Sequence, residues 1–269
     1  MIGVRRSLLD VPRRMAWALA ALMPAVGAEA VARGGAWLVA LVLTAAVAMA
    51  IAVLADFSRR SPGRLLSSNL DVATAASLVV LLLPGGSSLF LAGAATWLSV
   101  FLARNLFGGL GQNLFHPAML ALAIVGLIST APTTGISWSP WAAPACWLAG
   151  ALLTAGRLHS WRAPTAFLAG AILLAAVMGT NTTVSERIVG VVLDPALVLC
   201  AFFVAGDPVT GCLHKQARLA YGFAAGILAI AFSTWQPTTG LPLAMLVMNF
   251  LAPWLDQVLS MPRHPAAAR

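Results

Sequence analysis

Residues 36–55 read AWLVALVLTAAVAMAIAVLA, twenty consecutive positions without a charge. At about 1.5 Å per residue, a helix of that length matches the roughly 30 Å hydrocarbon layer of a bilayer. No water reaches that depth, so the backbone has to satisfy itself as a helix. The same texture continues in both directions, with ten apolar runs at 15–31, 36–55, 70–84, 88–103, 113–130, 141–155, 164–179, 188–205, 217–234 and 241–259. Over all 269 residues, 60% are hydrophobic and 9% charged, where a soluble domain carries about a quarter charged. Mean hydropathy is +0.91. These values exclude a disordered chain and an ordinary soluble domain. They predict an all-α membrane protein of about ten transmembrane helices, one integral domain over 1–269 with no room for a soluble module.

The net charge of +8 does not point to nucleic acid, because no basic stripe exists to follow a phosphate backbone. The basic residues sit between the apolar runs instead, where they orient a membrane protein. With the N-terminus in the cytoplasm, that side receives Arg5, Arg6, Arg13, Arg14, Arg59, Arg60, Arg64, Arg104, Arg157, Arg162, Lys215, Arg218, Arg263 and Arg269. The other side receives Arg33 and Arg187, a bias of fourteen to two that places both termini in the cytoplasm. No convincing signal-peptide cleavage site follows the first run. Cys146, Cys200 and Cys212 have no metal-binding spacing, and no metal site is expected.

Five runs per half make any internal repeat an inverted one. Leu-Asp-Val-Ala at 70–73 is echoed by Leu-Asp-Pro-Ala at 193–196, and Pro-Ala-Met-Leu at 117–120 by Pro-Leu-Ala-Met-Leu at 242–246. Asp71 to Pro117 is 46 positions and Asp194 to Pro242 is 48. The expected repeats run from about 15 to 131 and from about 140 to 260.

Ionisable residues inside apolar runs are costly and mark cavities or partners. Asp194 stands before Pro195, which lacks a backbone donor. It reads either as a carboxylate at a broken helix, fit for an ion or proton, or as a group near a frayed start paired with Arg187. Asp207 before Pro208 reads on physics alone as a turn and N-cap. Asp71 reads as a helix-start carboxylate, and Glu29 and Asp56 as solvated caps. The most unusual stretch is 104–117, RNLFGGLGQNLFHP. Gly108, Gly109 and Gly111 permit close backbone approach. Asn113 and His116 would share one face if a helix began there. The stretch lacks the Lys-Ser/Thr pair of a phosphate loop, so its occupant stays open: an anion, a flavin or nothing.

Phe107 to Ala118, FGGLGQNLFHPA, resembles the signature of the NqrB/RnfD family, approximately GGLGQNPFNPA. These are integral subunits of the sodium-pumping NADH:quinone reductase and of the Rnf electron-transport complex. FFVAGDPVTG at 202–211 is similar to the family's FFMATDPVTS, SWRAP at 160–164 to its SWRIP, and LVMN at 246–249 to its LLMN. The resemblance implies ten helices in two inverted five-helix repeats, similar to urea-transporter architecture, in a bacterial inner membrane. It implies a subunit that is not catalytic alone, and that couples electron transfer through a flavin to movement of Na+ or H+. Its partners would be a cytoplasmic NADH- or ferredoxin-oxidising subunit and other membrane subunits. It places Asn113, His116 and the three glycines near a non-covalent flavin, riboflavin or FMN, and makes Asp207 a signature residue. Asp71, Asp194, Asp207 and Asn249 are then the candidates for ion passage or coupling.

The sequence departs from the family at His116, where the family has Asn, and at Leu114, where it has Pro. It also lacks the long connection between the fifth and sixth runs that carries an SGAT-type motif, whose Thr bears FMN. Here 131–140 reads APTTGISWSP, so covalent FMN is not expected. The competing expectation is a transporter or channel without redox chemistry on the same inverted fold. A third is a scaffold that only anchors partners.

Overall fold

The computed structural model describes residues 2–58, 69–83, 88–105, 113–128, 136–156, 159–178 and 182–260. Among these residues there is no strand. The helices are α1 (Ile2–Arg33), α2 (Gly35–Ser58), α3 (Leu70–Leu81), α4 (Leu89–Val100), α5 (Pro117–Ile128), α6 (Ala142–Ala155), α7 (Arg162–Val177), α8 (Val184–Leu193), α9 (Pro195–Leu199), α10 (Lys215–Trp235) and α11 (Gly240–Ser260). A π-helical turn continues α4 over Phe101–Asn105, and a second continues α9 over Cys200–Ala205.

Each of the ten apolar runs coincides with helix. Four described helices are long and apolar enough to cross a membrane: Arg13–Arg33, Gly35–Leu54, Lys215–Trp235 and Gly240–Leu259. Val184–Leu193 with Pro195–Ala205 makes a fifth if the 55° bend between them lies within one span. The other apolar helices are shorter, at 10–17 residues. The fifth run was expected to be helical from 113, but α5 starts at Pro117. The proline ring suits a first helical position and pushes the residue before it out of the α region.

The helix breaks follow from particular residues. Gly34 separates α1 from α2 with φ of +83°, a backbone shape that disfavours a side chain. The break at Asp194 falls where the Asp-Pro pair puts it: Pro195 has no N–H to give, and Asp194 is extended at φ −78°, ψ 109°. Its Oδ1 accepts from the backbone N–H of Ala196 at 2.8 Å and Leu197 at 3.4 Å, capping α9. A capping box of Thr183 and Glu186 starts α8.

Two segments are wrapped by protein on nearly every face: 72–83 in α3 and its exit, and 195–205 in α9 and its π turn. Each begins beside an aspartate, Asp71 and Asp194. Polar side chains in these apolar helices satisfy themselves on their own turn. Thr74 donates to Leu70 O at 3.0 Å, Ser77 to Ala73 O at 2.8 Å and Thr96 to Ala92 O at 2.7 Å. In the second half, α7 and α10 approach through glycines. A Cβ on Gly170 would lie 2.1 Å from Phe223 O, one on Gly222 2.3 Å from Ala163 O, and one on Gly226 1.9 Å from Phe167 O. Lipid supplies no hydrophobic drive between helices, so such backbone contact carries the association.

Glu29 overturns its reading as a solvated cap. It is 1% exposed. Its Oε2 pairs with Arg33 Nε at 2.6 Å and its Oε1 accepts from Ser139 N–H at 2.9 Å. Arg33 donates onward to Ser137 O at 2.8 Å and lies over the rings of Trp37 and Trp138 at 5.5 and 5.8 Å. This latch ties α1 to the segment entering α6. A carboxylate in an apolar run is retained here because it is paired on both oxygens. The side chain of Asp56 lies outside the described residues.

Candidate functional site

A cavity of about 260 Å³ opens where α3 and α5 begin. Asp71 and Thr74 reach it from α3, and Arg14 and Met15 from α1. Asn113 and His116 line it from the lead-in to α5, His159 from the connection before α7, and Phe203 and Asp207 from the end of the second π turn. Asp71, Asn113, His116 and Asp207 are spread over 137 positions of sequence, and the fold brings them to one place. Gly108, Gly109 and Gly111 lie outside the described residues.

Each wall residue is held by its own local chemistry. Asp207 accepts from Val209 N–H on Oδ1 at 3.2 Å, and on Oδ2 from Thr210 N–H at 3.2 Å and Thr210 Oγ1 at 2.8 Å. The turn reading of this residue and its place in the cavity are therefore both realised. His116 is 8% exposed. Its Nδ1 and the Oδ1 of Asn113 are buried atoms with no hydrogen-bond partner. Such atoms are uncommon, and in a cavity they are open positions for a ligand. Asp207 acts electrostatically on both imidazoles, His116 and His159.

Asn249 lines neither this cavity nor the second one described below. It is 1% exposed and contacts Tyr221 Oη at 2.7 Å. Of the two orientations of its amide, one satisfies both ends. Oδ1 then accepts from the backbone N–H of His116 at 3.0 Å, and Nδ2 donates to Tyr221 Oη at 2.7 Å and Met245 O at 3.3 Å. Asn249 thus clamps the start of α5 to α10 and α11. Tyr221 was not singled out from sequence, although the chain's only tyrosine, set within an apolar helix, was a visible signal.

His159 was also missed; it sits one position before the SWRAP motif. Its Nδ1 lies 2.7 Å from Phe202 O. The surrounding protein pushes its pKa below the ordinary histidine value, against the pull of the Asp207 carboxylate and of the Phe202 carbonyl.

A second cavity, of about 470 Å³, lies where α9 and α11 begin. Asp194, Trp138, Ser233 and Thr238 supply its polar groups, and its walls are apolar. Among the described residues Asp194 makes no ion pair with Arg187, whose Nε turns to Thr183 O at 3.4 Å. The two cavities share walls. On α3, Leu78 lines the first and Leu82, one turn on, faces the second; on α5, Pro117 lines the first and Met119 the second.

The fold and cavities define an all-helical protein rich in membrane-length helices, with polar groups gathered at broken helix starts. The chain belongs to the NQR2, RnfD, RnfE family, whose model matches residues 5–144 and 126–264. The two matches meet at 126–144, around the shortened connection between α5 and α6. Among its relatives is an RnfD-type subunit of the ion-translocating oxidoreductase complex of Vibrio cholerae serotype O1, 27% identical over 332 residues, covering 94% of this chain and 93% of the relative. That alignment is longer than this chain's 269 residues, so the relative carries segments absent here. The corresponding protein of Pseudomonas aeruginosa is 26% identical over 272 residues, covering 78% of each chain. That of Actinobacillus pleuropneumoniae is 32% identical over 128 residues, covering 46% of this chain and 35% of the relative.

Proposed function

We propose that this chain is a compact membrane subunit of an ion-translocating oxidoreductase complex, and that its first cavity holds a flavin without a covalent bond. The observation that carries the reading is the convergence of Asp71, Asn113, His116 and Asp207 on one cavity in which two buried polar atoms are unpaired. On this reading the chain crosses the inner membrane ten times as two inverted five-helix repeats, with both termini and the first cavity on the cytoplasmic side. Repeat-related residues support it: Asp71 and Pro117 line one cavity, Asp194 and Pro242 the other.

The residues present fit a flavin ring. Apolar walls from α1 and α3 would receive its faces. Asn113 Oδ1 and His116 Nδ1 would take its polar edge. The carboxylates of Asp71 and Asp207 oppose an anion there, which favours riboflavin over FMN and over a free phosphate. Bound, the flavin would accept and pass on electrons, one hop in a chain completed by partner subunits. The chain's own part is to orient the ring, to exclude lipid from it and to keep Asp207 fixed beside it through Thr210 and Val209. Asp71 and Asp207 on the first cavity and Asp194 on the second would serve the cation, Na+ or H+. Asn249 serves by holding His116 in place.

Purified protein should show the flavin absorption band. Asn113→Leu and His116→Leu should each weaken riboflavin binding about tenfold, the cost of one hydrogen bond in a buried site; equilibrium titration of flavin fluorescence checks this. A colourless protein that takes up no riboflavin would sink the reading. Because 131–140 carries no SGAT motif, the denatured chain on a gel should show no flavin fluorescence. A fluorescent band at the protein's mass would mean a covalent site elsewhere.

The second cavity favours one other reading, a transporter or channel without redox chemistry, since Asp194 with Ser233 and Thr238 could pass a small solute or ion. Solute movement in liposomes by a flavin-free protein would select it.

A further inference from the structure

We propose that His159 is a further ligand-contacting residue of the first cavity, that its Nε2 accepts a hydrogen bond from an N–H of the occupant, and that Gly206 is what admits it. This rests on the cofactor reading above.

Three observations meet at this residue. The first is the π turn. In an α-helix Gly206 N–H would bond to Phe202 O; here it bonds to Ala201 O at 3.1 Å, and Asp207 N–H goes to Val204 O at 3.2 Å. Phe202 O is thereby free to meet His159 Nδ1 at 2.7 Å. The second is the tautomer this contact sets. A carbonyl can only accept, so Nδ1 carries the hydrogen. The neutral ring then has Nε2 as its acceptor, and any added proton goes to that same atom. His159 lines the cavity. The third is Gly206. A Cβ there would lie 2.5 Å from Phe202 O and 3.1 Å from His159 Nδ1. The family's FFMATDPVTS has Thr at this position, so the seat for His159 is a feature of this chain.

The charged and titratable groups around His159 are Asp207 on the turn after the π helix, His116 before α5 and Arg218 on α10. Asp71 and Arg14 share the cavity wall. Burial outweighs the pull of Asp207 on the ring's pKa, so the ring is neutral at pH 7 and offers a lone pair. With Asn113 Oδ1 the wall is rich in acceptors. It suits a neutral heteroaromatic occupant that carries N–H donors, such as the imide edge of a flavin.

Riboflavin titration of the full-length protein in detergent, followed by quenching of flavin fluorescence from pH 5 to 8, tests this. A proton on Nε2 turns an acceptor into an opposing donor. The wild type should therefore bind about tenfold more weakly at pH 5 than at pH 7.5. His159→Gln should flatten the profile. Gly206→Thr should do the same by unseating the ring, and Gly206→Thr combined with His159→Gln should lose nothing more than Gly206→Thr alone. Size-exclusion profiles report folding, and where His159→Gln loses its peak, Gly206→Thr carries the test. A profile unchanged in folded His159→Gln, or one abolished by His116→Gln instead, overturns this inference and leaves the flavin reading standing. No riboflavin binding by the wild type at any pH overturns both.

Discussion

Gly226→Leu should cost the protein its folded state. A single Cβ at this position would stand 1.9 Å from Phe167 O and 2.8 Å from Ala171 N, both backbone atoms that no rotamer change can move. Gly222 on the same face meets Ala163 O, and Gly170 on α7 meets Phe223 O, so the helices cannot tilt away from one contact without loading the next. Overpacking by one methyl typically costs about 1–3 kcal/mol. Three further carbons in a backbone contact take the cost beyond about 4 kcal/mol, a large part of a domain's whole stability. In detergent, Gly226→Leu should lose the monodisperse size-exclusion peak and Gly226→Ala should melt well below the wild type. Gly190→Ala should melt with the wild type, because nothing lies within 4 Å of a Cβ there. A Gly226→Leu protein of unchanged melting temperature would mean that α7 and α10 do not touch as described.

Glu29→Ala should give the next largest loss. The carboxylate is 1% exposed and serves two donors, Arg33 Nε and Ser139 N–H. Removing it leaves the guanidinium between Trp37 and Trp138 without its counter-charge. Breaking one side of a buried pair costs about 3–5 kcal/mol. The Arg33 side chain is 23% exposed, so water recovers part of this and about 2–3 kcal/mol remains. Glu29→Gln keeps an acceptor for Ser139 and should fall between the two. Thermal melting followed by tryptophan fluorescence reads both the loss and the release of Trp138. Equal melting of Glu29→Ala and the wild type would show that the latch holds nothing.

What could be read in advance divides by range. Hydropathy located all ten helical stretches because lipid selects composition over a whole run. The break at Asp194 was legible because Asp-Pro acts on its own backbone. The gathering of Asp71, Asn113, His116 and Asp207 was reachable only through motifs, since no local rule joins positions so far apart. Glu29 was misread for the same reason: its second partner, Ser139, is 110 positions away. The Gly222 and Gly226 spacing stood in plain view, but spacing alone does not name the facing helix. His159 depends on a carbonyl freed by a π turn, and neither hydropathy nor motif spacing places such a turn.

The shared walls of the two cavities have an electrical consequence. Leu78 and Leu82 on α3 face opposite cavities, and one turn of helix is about 5.4 Å. With water in both cavities, the insulating layer between them is far thinner than the roughly 30 Å of the surrounding lipid. A membrane voltage, about 2.3 kcal/mol per elementary charge for each 100 mV, then falls almost entirely across this septum. A charge moved from the Asp71 side to the Asp194 side would do nearly the full electrical work of crossing the membrane while travelling little more than the length of one leucine.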